Sequence, residues 1–479
     1  MNISIEQKLE GMGNPKVCDP NTLRDFAKMF LAHKERGKDF IETAIHCLEY
    51  ASRLNPNNED IFIDLANAYI ENNQFDRASD IAKLLLSMNK AADKAHALLG
   101  SLYLSQGEKT KAKRHLEEAL ILTEYTNLNY LRNYFFTEEL NETEREYLLD
   151  HLLNLVQTNH YEESKKGELY YLIAEIYNKK SDYAQAVYYW EEGAELIRNS
   201  IKEENINLIF EYLKACIKSL SEENFQFLDQ YRETKFFNLQ DSEPKLIFIV
   251  GLPRTGSTLI EQLLLTHNDV SSVGESNYFA QALVNELKQD LREIFSNIKK
   301  ISNENLINIK NTYLNLVNSS SKVIIDKTLS NFLYVPIIQT CFPEAKIIFT
   351  DRDWEETRFS CFTQYFTDNQ VIFSYSFTEL NKYQDLYQKI LSKLKNSKVF
   401  FIEEYKYEDL VNNPELLSQK IFSLADLKWT TQALEFHKNK KTVLTASLTQ
   451  VRKPIYKSSL KKWDRYKSFF KKEEEHDIK

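Results

Sequence analysis

The sequence predicts a chain of two parts: an all-helical solenoid in the N-terminal half, followed by a three-layer α/β domain with a central parallel sheet. Two observations support this prediction. In the first half, small and aromatic residues recur with a period of 34 residues. In the second half, short β-branched runs alternate with longer helical stretches. The 479 residues are enough for about three domains of ordinary size.

The repeat becomes visible when positions 34 residues apart are compared, and a later segment with Ala174, Ala186 and Trp190 keeps the same register. This period, with small residues where two helices cross, indicates tetratricopeptide repeats. Such repeats stack into a solenoid with a concave surface. For any single unit, the alternative is an ordinary amphipathic helical hairpin. The matching positions of two successive units are Leu65, Ala66, Tyr69 and Ala78, and Leu99, Gly100, Tyr103 and Ala112.

Changes of pattern predict the domain boundaries. The tetratricopeptide-repeat domain is expected over residues 1–218, and its irregular stretch 123–161 is interpreted as a divergent unit or a helical insertion. A capping helix and linker are expected over residues 219–243, up to a turn at Pro244. The α/β domain takes residues 244–479.

Four apolar runs predict the strands of the α/β domain. Apolar strands that alternate with helices are typical of a parallel sheet covered on both faces. Ligands of such sheets bind beyond the carboxyl ends of the strands, so the functional residues are expected directly after these runs. The runs cover residues 246–252, 323–326, 345–351 and 398–405.

The composition excludes several classes of protein. An apolar fraction of 43%, with 10 Gly and 9 Pro, excludes collagen-like and wholly disordered chains. A net charge of −9 is inconsistent with a protein that coats nucleic acid. The five cysteines are far apart and form no CxxC pair, so neither a disulfide framework nor a zinc cluster is predicted. A signal peptide and a membrane-spanning run are not apparent, so a cytoplasmic protein is expected.

A glycine loop follows the first predicted strand, over residues 251–258, and leads into an apolar helix. This layout directs backbone N–H groups and the positive helix end towards an anion. Ser257 stands where a nucleotide-triphosphate P-loop has its lysine, and Arg254 supplies a cation within the loop instead. The Arg254 guanidinium, with the Ser257 and Thr258 hydroxyls, is suited to a phosphate-like group. A glycine turn that enters a buried helix is the alternative interpretation.

The run PRTGSTLIEQLL in this loop resembles the phosphosulfate loop of sulfotransferases that use 3′-phosphoadenosine-5′-phosphosulfate (PAPS). The tyrosylprotein sulfotransferases and bacterial tetratricopeptide-sulfotransferase proteins are the nearest likeness, and it covers residues 245–466. The resemblance implies a P-loop-like fold in which PAPS is the donor and adenosine 3′,5′-bisphosphate (PAP) the product. It also implies that the loop binds the donor through Arg254, Thr255, Gly256, Ser257 and Thr258.

Two further motifs resemble the catalytic elements of that family. Glu275, in Gly-Glu-Ser, matches the family's general base, and a carboxylate suits the removal of a proton from an attacking hydroxyl. His267 is the rival base. By resemblance, Lys327 contacts the oxygen between the phosphate and the sulfuryl group, where negative charge develops in the transition state. The alternatives are a solvated Glu275 and an ion pair between Lys327 and Asp326.

Three residues match the family's nucleotide-binding positions. Arg352 and Ser360, eight residues apart, match the pair that binds the 3′-phosphate, and Tyr407 matches a tyrosine beside the nucleotide. The chain departs from the family at Gln364, where the tyrosylprotein enzymes have an arginine. The apolar run before Asp351 also fits a Walker-B strand, which is the main support for a kinase or NTPase.

The C-terminal stretch resembles the family's closing segment. Between Lys438 and Lys472, twelve residues are Lys or Arg and one, Asp464, is acidic. A bound bisphosphorylated nucleotide accounts for such a basic segment, and a solvated basic tail is the alternative. The resemblance implies that Ser447 stabilises the transferring group. It assigns donor binding to Ser447, Arg452, Lys453 and Lys462.

Together the motifs predict a PAPS-dependent sulfotransferase that transfers a sulfuryl group to a hydroxyl acceptor. Glu275, Lys327, Arg254 and Ser447 are the expected catalytic residues, and no metal is expected. A protein tyrosine engaged through the repeat array is the leading acceptor, with a carbohydrate or small-molecule alcohol as the rival. A P-loop nucleotide kinase or NTPase, and a scaffold with an inactive second domain, are the other classes considered. Nucleic acid is not an expected partner, and no transmembrane segment is expected.

Overall fold

The computed structural model describes residues 19–32, 38–72, 74–158, 161–232, 243–366, 369–397, 399–438, 451–457 and 460–470. The described chain divides into two compact units, one that ends at Asn141 and one that begins at Glu142. This division differs from the predicted domain boundaries at 218 and 244, which were drawn from repeat and strand patterns and stay predictions.

The first unit is helical, as predicted. The repeat helices pair as α3 with α4 and α5 with α6, and small residues such as Ala66 and Ala78 are fully buried between them. At Gly100 a Cβ atom would lie 2.5 Å from Cγ of Leu116, so the close approach of α5 and α6 requires glycine. The helices are α1 (Pro20–Ala32), α2 (Lys38–Leu54), α3 (Glu59–Glu71), α4 (Phe75–Ser87), α5 (Ala92–Ser105), α6 (Lys109–Leu122) and α7 (Leu128–Phe136).

The second unit begins with five helices. The irregular stretch 123–161 is helical where described, and its second helix is the first of this unit. Helices α9 and α10 form a tight antiparallel hairpin, in which a Cβ atom on Gly193 would lie 3.0 Å from the carbonyl oxygen of Gly167. The five helices are α8 (Glu142–Gln157), α9 (Glu163–Lys179), α10 (Tyr183–Ser200), α11 (Glu203–Ser219) and α12 (Glu222–Arg232).

A parallel sheet of five strands follows, in the spatial order β2-β3-β1-β4-β5. The prediction of a parallel sheet in an α/β domain is therefore confirmed. Strand β1 is central, and the chain passes to one side of it for β2 and β3 and to the other side for β4 and β5. Such a divergence point is where α/β sheets bind ligands. The strands are β1 (Lys245–Gly251), β2 (Val270–Gly274), β3 (Val323–Asp326), β4 (Lys346–Asp351) and β5 (Glu403–Lys406).

Two strands differ from the sequence prediction. Strand β2 was not predicted, because it is a partly exposed edge strand of sequence VSSVG without an apolar run. Strand β5 begins at Glu403, later than predicted. The backbone N–H and carbonyl of Phe401 are hydrogen-bonded to the side chain of Gln339, each at 2.9 Å, instead of to a strand.

Helices connect the strands and complete the unit. Between the strands lie α13 (Ser257–Leu264), α14 (Tyr278–Leu287), α15 (Leu291–Ser296), α16 (Asn303–Val317), α17 (Val335–Cys341), α18 (Trp354–Phe362) and α19 (Phe377–Asn396). After β5 come α20 (Tyr407–Asn412), α21 (Pro414–Leu424) and α22 (Trp463–Tyr466). Short 3₁₀ segments cover Ile298–Lys300, Leu329–Tyr334, Asn369–Tyr375 and Thr431–Lys438.

Among the described residues of the second unit, two apolar clusters are relevant to the site. One surrounds the sheet and includes Phe248, Ile324 and Phe349. The other joins the hairpin α9–α10 to α18 and α22, and the side chains of Trp190 and Phe359 are buried in it. The residues that follow the carboxyl ends of β1 and β4 thus lie beside a second core that the helical hairpin helps to build.

Candidate active site

Each strand of the sheet is followed directly by a predicted functional element. The glycine loop follows β1, and a single predicted residue follows each of the other four strands. Because the strands are parallel, their carboxyl ends lie at one edge of the sheet, so one fold feature brings all five elements together. The four residues are Glu275 after β2, Lys327 after β3, Arg352 after β4 and Tyr407 after β5.

The glycine loop contains residues with positive φ angles, and hydrogen bonds hold it against the sheet. Arg254 has a φ of 67° and Gly256 a φ of 95°, which is the left-handed region. A Cβ atom at Gly256 would lie 2.7 Å from Cδ2 of Tyr407, so the loop also needs glycine for close packing. The Thr255 hydroxyl is hydrogen-bonded within the fold, to the carbonyl of Leu252 at 2.7 Å and to the Thr350 hydroxyl at 2.6 Å. Its side chain therefore anchors the loop to β4.

A pocket of about 580 Å³, including the open space at its mouth, lies over this loop. It brings together seven of the predicted donor-binding residues: Arg254, Gly256, Ser257, Thr258, Arg352, Tyr407 and Lys453. Its remaining lining was not predicted. Leu259 belongs to the loop motif, and Val451, Pro454, Ile455 and Tyr456 belong to the basic C-terminal stretch, whereas Phe436 carries no sequence signal beyond hydrophobicity. We call this space the donor pocket.

Cationic side chains are linked around the donor pocket. The Arg254 Nε donates to Ser360 Oγ at 3.0 Å, and the Arg352 Nη1 donates to the Arg254 carbonyl at 3.2 Å. The Arg352 Nη2 pairs with Glu356 at 3.2 Å, and its guanidinium lies 4.8 Å from the centre of the Tyr407 ring. Arg254, Arg352 and Ser360 thus form one connected group.

Burial and like charge lower the pKa of two cations here. Burial lowers the pKa of Arg254, and the Arg352 charge acts in the same direction. Burial also lowers the pKa of Lys462, as do the charges of Arg254 and Arg352. Burial lowers the pKa of Arg452 as well. A group of cations with depressed pKa values favours an anionic ligand.

A second charged group lies after β2 and β3. The Lys327 side chain is 0% exposed, and its Nζ donates to Glu275 Oε1 at 2.5 Å. Its Nζ also lies 4.0 Å from Oε2 of the buried Glu261, which accepts a hydrogen bond from Ser272 at 2.5 Å. Burial alone would lower the pKa of Lys327, but Glu261 and Glu275 outweigh it and the pKa is raised. Lys327 is therefore held as an ammonium.

The geometry also bears on the alternatives for these residues. Asp326 accepts hydrogen bonds from Tyr313 at 3.1 Å, from the backbone N–H of Thr328 at 3.0 Å and from Asn331 at 3.2 Å. Lys327 is thus paired with the glutamates, not with Asp326. Glu275 is 46% exposed and follows the carboxyl end of β2, whereas His267 precedes the amino end of that strand. The position of Glu275 is the one that faces the donor pocket's edge of the sheet.

Two further positions and the metal-binding groups complete the comparison with the sequence. Ser447 lies outside the described residues. The Gln364 side chain donates to the Tyr365 carbonyl at 3.0 Å, so it adds no cation to the group around Arg254. Among the described residues, Asp, Glu, His and Cys side chains form no group of three or more that could hold a metal ion.

The described helices are also too short or too polar to cross a membrane. None of those within the ranges given above combines the length and the low charge needed to cross a bilayer. The expected cytoplasmic location stays a prediction.

Comparison with known proteins finds similarity in both parts of the chain. Residues 244–431 match the model of the sulfotransferase family, and residues 41–90 match a tetratricopeptide repeat. An uncharacterized protein of Aquifex aeolicus is 31% identical over 239 residues, which are 47% of this chain and 31% of that protein. A putative protein-tyrosine sulfotransferase of Caenorhabditis briggsae is 26% identical over 204 residues, which are 40% of this chain and 69% of that protein.

The solved structures to which the chain is similar include sulfotransferases. The sulfotransferase domain of a Synechococcus olefin synthase is 17% identical, with a TM-score of 0.32, and covers 47% of this chain and 89% of that domain. A Mycobacterium tuberculosis sulfotransferase is 13% identical, with a TM-score of 0.31, and covers 65% of this chain and 98% of that protein. These matches indicate a helical N-terminal region with a tetratricopeptide repeat, followed by a sulfotransferase domain that contains the parallel five-stranded sheet.

Proposed function

We propose that the protein transfers a sulfuryl group from PAPS to a hydroxyl acceptor. The observation that carries the proposal is the pairing of two charged groups at one edge of the sheet. One is the glycine loop, where Arg254 is linked to Ser360 and to Arg352, and the other is the buried Lys327 with the accessible Glu275. A bisphosphorylated donor and a hydroxyl acceptor need these two chemistries side by side.

The donor pocket suits the two separate anionic arms of PAPS. At the 5′ arm, the start of α13 offers loop N–H groups, the Arg254 guanidinium and the hydroxyls of Ser257 and Thr258. Thr255 contributes through its backbone, because its hydroxyl is already bonded to Leu252 and Thr350. At the 3′ arm, Arg352 and Ser360 are already linked to Arg254.

The remaining donor contacts come from outside the loop. Tyr407 lies against Gly256 and would flank the nucleotide, while Lys453 lines the pocket. Lys462 and Arg452 add positive charge at partly buried positions. The proposed contact of Ser447 with the transferring group rests on the resemblance alone.

The proposed reaction is an in-line displacement at sulfur. Glu275 accepts the proton of the acceptor hydroxyl while that oxygen forms a bond to sulfur. The bond between sulfur and the bridging oxygen breaks, and its electron pair leaves with the 5′-phosphate, which gives PAP. Lys327 exchanges its contact with Glu275 for the bridging oxygen, where its ammonium stabilises the developing charge. Glu261 keeps Lys327 charged throughout.

For the acceptor we propose a tyrosine hydroxyl of a protein engaged by the repeat array. The support is the name of the Caenorhabditis relative and the repeat segment before the catalytic domain, since tetratricopeptide arrays present extended binding surfaces. Radiolabelled sulfate transfer into lysate fractions tests this. Label that protease treatment releases as sulfotyrosine supports a protein acceptor, and label in protease-resistant carbohydrate or small alcohols contradicts it.

Calorimetric titration of the whole chain tests the donor. We expect adenosine 3′,5′-bisphosphate to bind equally well with and without EDTA, because side chains and backbone N–H groups supply the whole anion site. ATP with Mg²⁺ serves as the matched titration. Binding of ATP that depends on Mg²⁺, without binding of the bisphosphate, would instead support a kinase or NTPase with Asp351 in a Walker-B role. Binding of neither ligand would support an inactive scaffold.

A further inference from the structure

We propose that the helical hairpin α9–α10 positions the donor-binding residues of α18 and of the segment that leads into α22. The inference rests on the proposed function, because it concerns the same donor pocket. The hairpin residues involved touch no reacting group in the scheme above, so they are positioning residues.

Helix α18 is the element through which the hairpin would act. One turn of this helix carries Ser360, which accepts from Arg254, and the preceding turn carries Glu356, which pairs with Arg352. Between them, Phe359 is turned into the apolar cluster shared with the hairpin. A shift of α18 would therefore move the partners of both donor-binding arginines together.

The hairpin holds α18 by a hydrogen bond and by aromatic packing. The hydroxyl of the buried Tyr171, on α9, donates to the backbone carbonyl of Phe362 at 2.7 Å. On α10, the buried Trp190 packs edge-on against Phe359, with ring centres 5.9 Å apart. These contacts fix both the axial position of α18 and the side of it that faces the hairpin.

The hairpin also holds α22, which follows Lys462 directly. The Tyr466 hydroxyl donates to Oδ1 of Asn178 at 2.5 Å, and the Tyr466 ring lies 5.7 Å from that of Trp190 and stacks on Phe359 at 4.6 Å. At the other end of α22, the backbone N–H of Trp463 donates to Glu356 Oε1 at 2.9 Å. Lys462 is therefore tied to α18 on one side and to the hairpin on the other.

The hairpin also carries a carboxyl group on the face that holds Tyr171 and Asn178. Tyr171, Glu175 and Asn178 are spaced by four and three residues, so they share one face of α9. Burial raises the pKa of Glu175, while Asn178, Lys462 and Arg254 act in the opposite direction. Asn178 donates to Glu175 at 3.4 Å and accepts from Tyr466, so it links this carboxylate to α22.

The test compares two substitutions, each of which removes the hydroxyl of a tyrosine. Tyr466→Phe removes the hydroxyl that binds Asn178, and Tyr188→Phe removes an exposed hydroxyl from α10 of the same hairpin. For Tyr466→Phe we expect the Kd for adenosine 3′,5′-bisphosphate and the KM for PAPS to rise about fivefold, the effect of one lost hydrogen bond. We expect kcat at saturating PAPS to be unchanged, and Tyr188→Phe to match the wild type throughout.

The outcomes separate this inference from the proposed function. If the wild-type chain fails to bind the bisphosphate, the proposed function fails and this inference with it. If the wild type binds and Tyr466→Phe binds equally well, or loses kcat with KM unchanged, only the positioning role is overturned. Asn178→Ala, which removes the same hydrogen bond from the other side, replaces Tyr466→Phe if that variant lacks a cooperative thermal transition, and the same criteria apply to it.

Discussion

The two ends of the site differ in the charges that they bring together. At the base end, after β2 and β3, the Lys327 ammonium lies among the carboxyl groups of Glu261 and Glu275. At the donor end, after β1 and β4, Arg254 and Arg352 lie near one another. Lys462 adds a third positive charge there, and Glu356 and Glu175 oppose the three.

This difference indicates which contacts exist before the ligand arrives. The base end is preorganised, because its lysine already has carboxylate partners and needs no ligand to remain charged. The donor end concentrates like charges in a partly buried place, and an anion relieves their repulsion. Ligand binding should therefore stabilise the fold mainly through the donor end, and substitutions at the base end should affect turnover more than donor affinity.

The sharpest test of the comparison is Glu275→Gln. We expect kcat to fall on the order of 10²–10⁴-fold, because the amide cannot accept the acceptor's proton. The Kd for adenosine 3′,5′-bisphosphate should stay close to the wild-type value, since the donor end is intact. Turnover is measured by sulfate transfer and affinity by calorimetry.

The control for this change is Glu304→Gln, at an exposed position in the first turn of α16. It should behave like the wild type in both measurements. A Glu275→Gln variant that keeps most of its turnover would exclude Glu275 as the general base and return attention to His267.

A second change at the base end, Lys327→Met, should lower both the free energy of unfolding and the turnover. The buried Glu261 then loses its countercharge, and loss of one partner of a buried ion pair costs about 3 kcal/mol of unfolding free energy. Turnover should also fall because the leaving oxygen loses its ammonium. Denaturant titration measures the first effect, and the additional change Glu261→Gln should recover part of it.

Lys310→Met separates stability from catalysis. Lys310 is also buried and paired, with Glu243 at 2.9 Å, but it lies on α16 away from the site. The Lys310→Met variant should have a lower free energy of unfolding than the wild type, and its turnover once folded should be unchanged. Equal turnover in the two lysine variants would contradict the assigned role of Lys327.

Much of the sheet and most of the site follow from local sequence. Apolar runs predicted β1, β3 and β4, and polar residues at their carboxyl ends then fall together because parallel strands share an edge. Glu275 was predicted by resemblance although its own strand was not, since the half-exposed serines of β2 give no apolar signal. Motif spacing therefore located a residue that strand prediction would have missed.

The attachment of the hairpin to the site could not be predicted in the same way. Tyr171 and Phe362 are 191 residues apart, and Asn178 and Tyr466 are 288 residues apart. Each aromatic residue fits a repeat or a core helix equally well on its own. The apolar lining of the donor pocket, such as Phe436, was missed for the same reason. Only tertiary packing distinguishes these residues from any other buried side chain.

The smallest expected effect concerns protons at the donor end. Because burial and the charges of Arg254 and Arg352 lower the pKa of Lys462, bound phosphate should raise it again. Below the lowered pKa, Lys462 is already protonated in the free protein, so ligand binding takes up no proton. Affinity for adenosine 3′,5′-bisphosphate should therefore decline only as pH rises through that pKa. Calorimetry in buffers of different ionisation enthalpy should show uptake of less than about one proton. Lys462→Met should abolish this uptake, and Lys467→Met, at an exposed position on the same segment, should preserve it. Uptake that persists in Lys462→Met would assign the proton to another group.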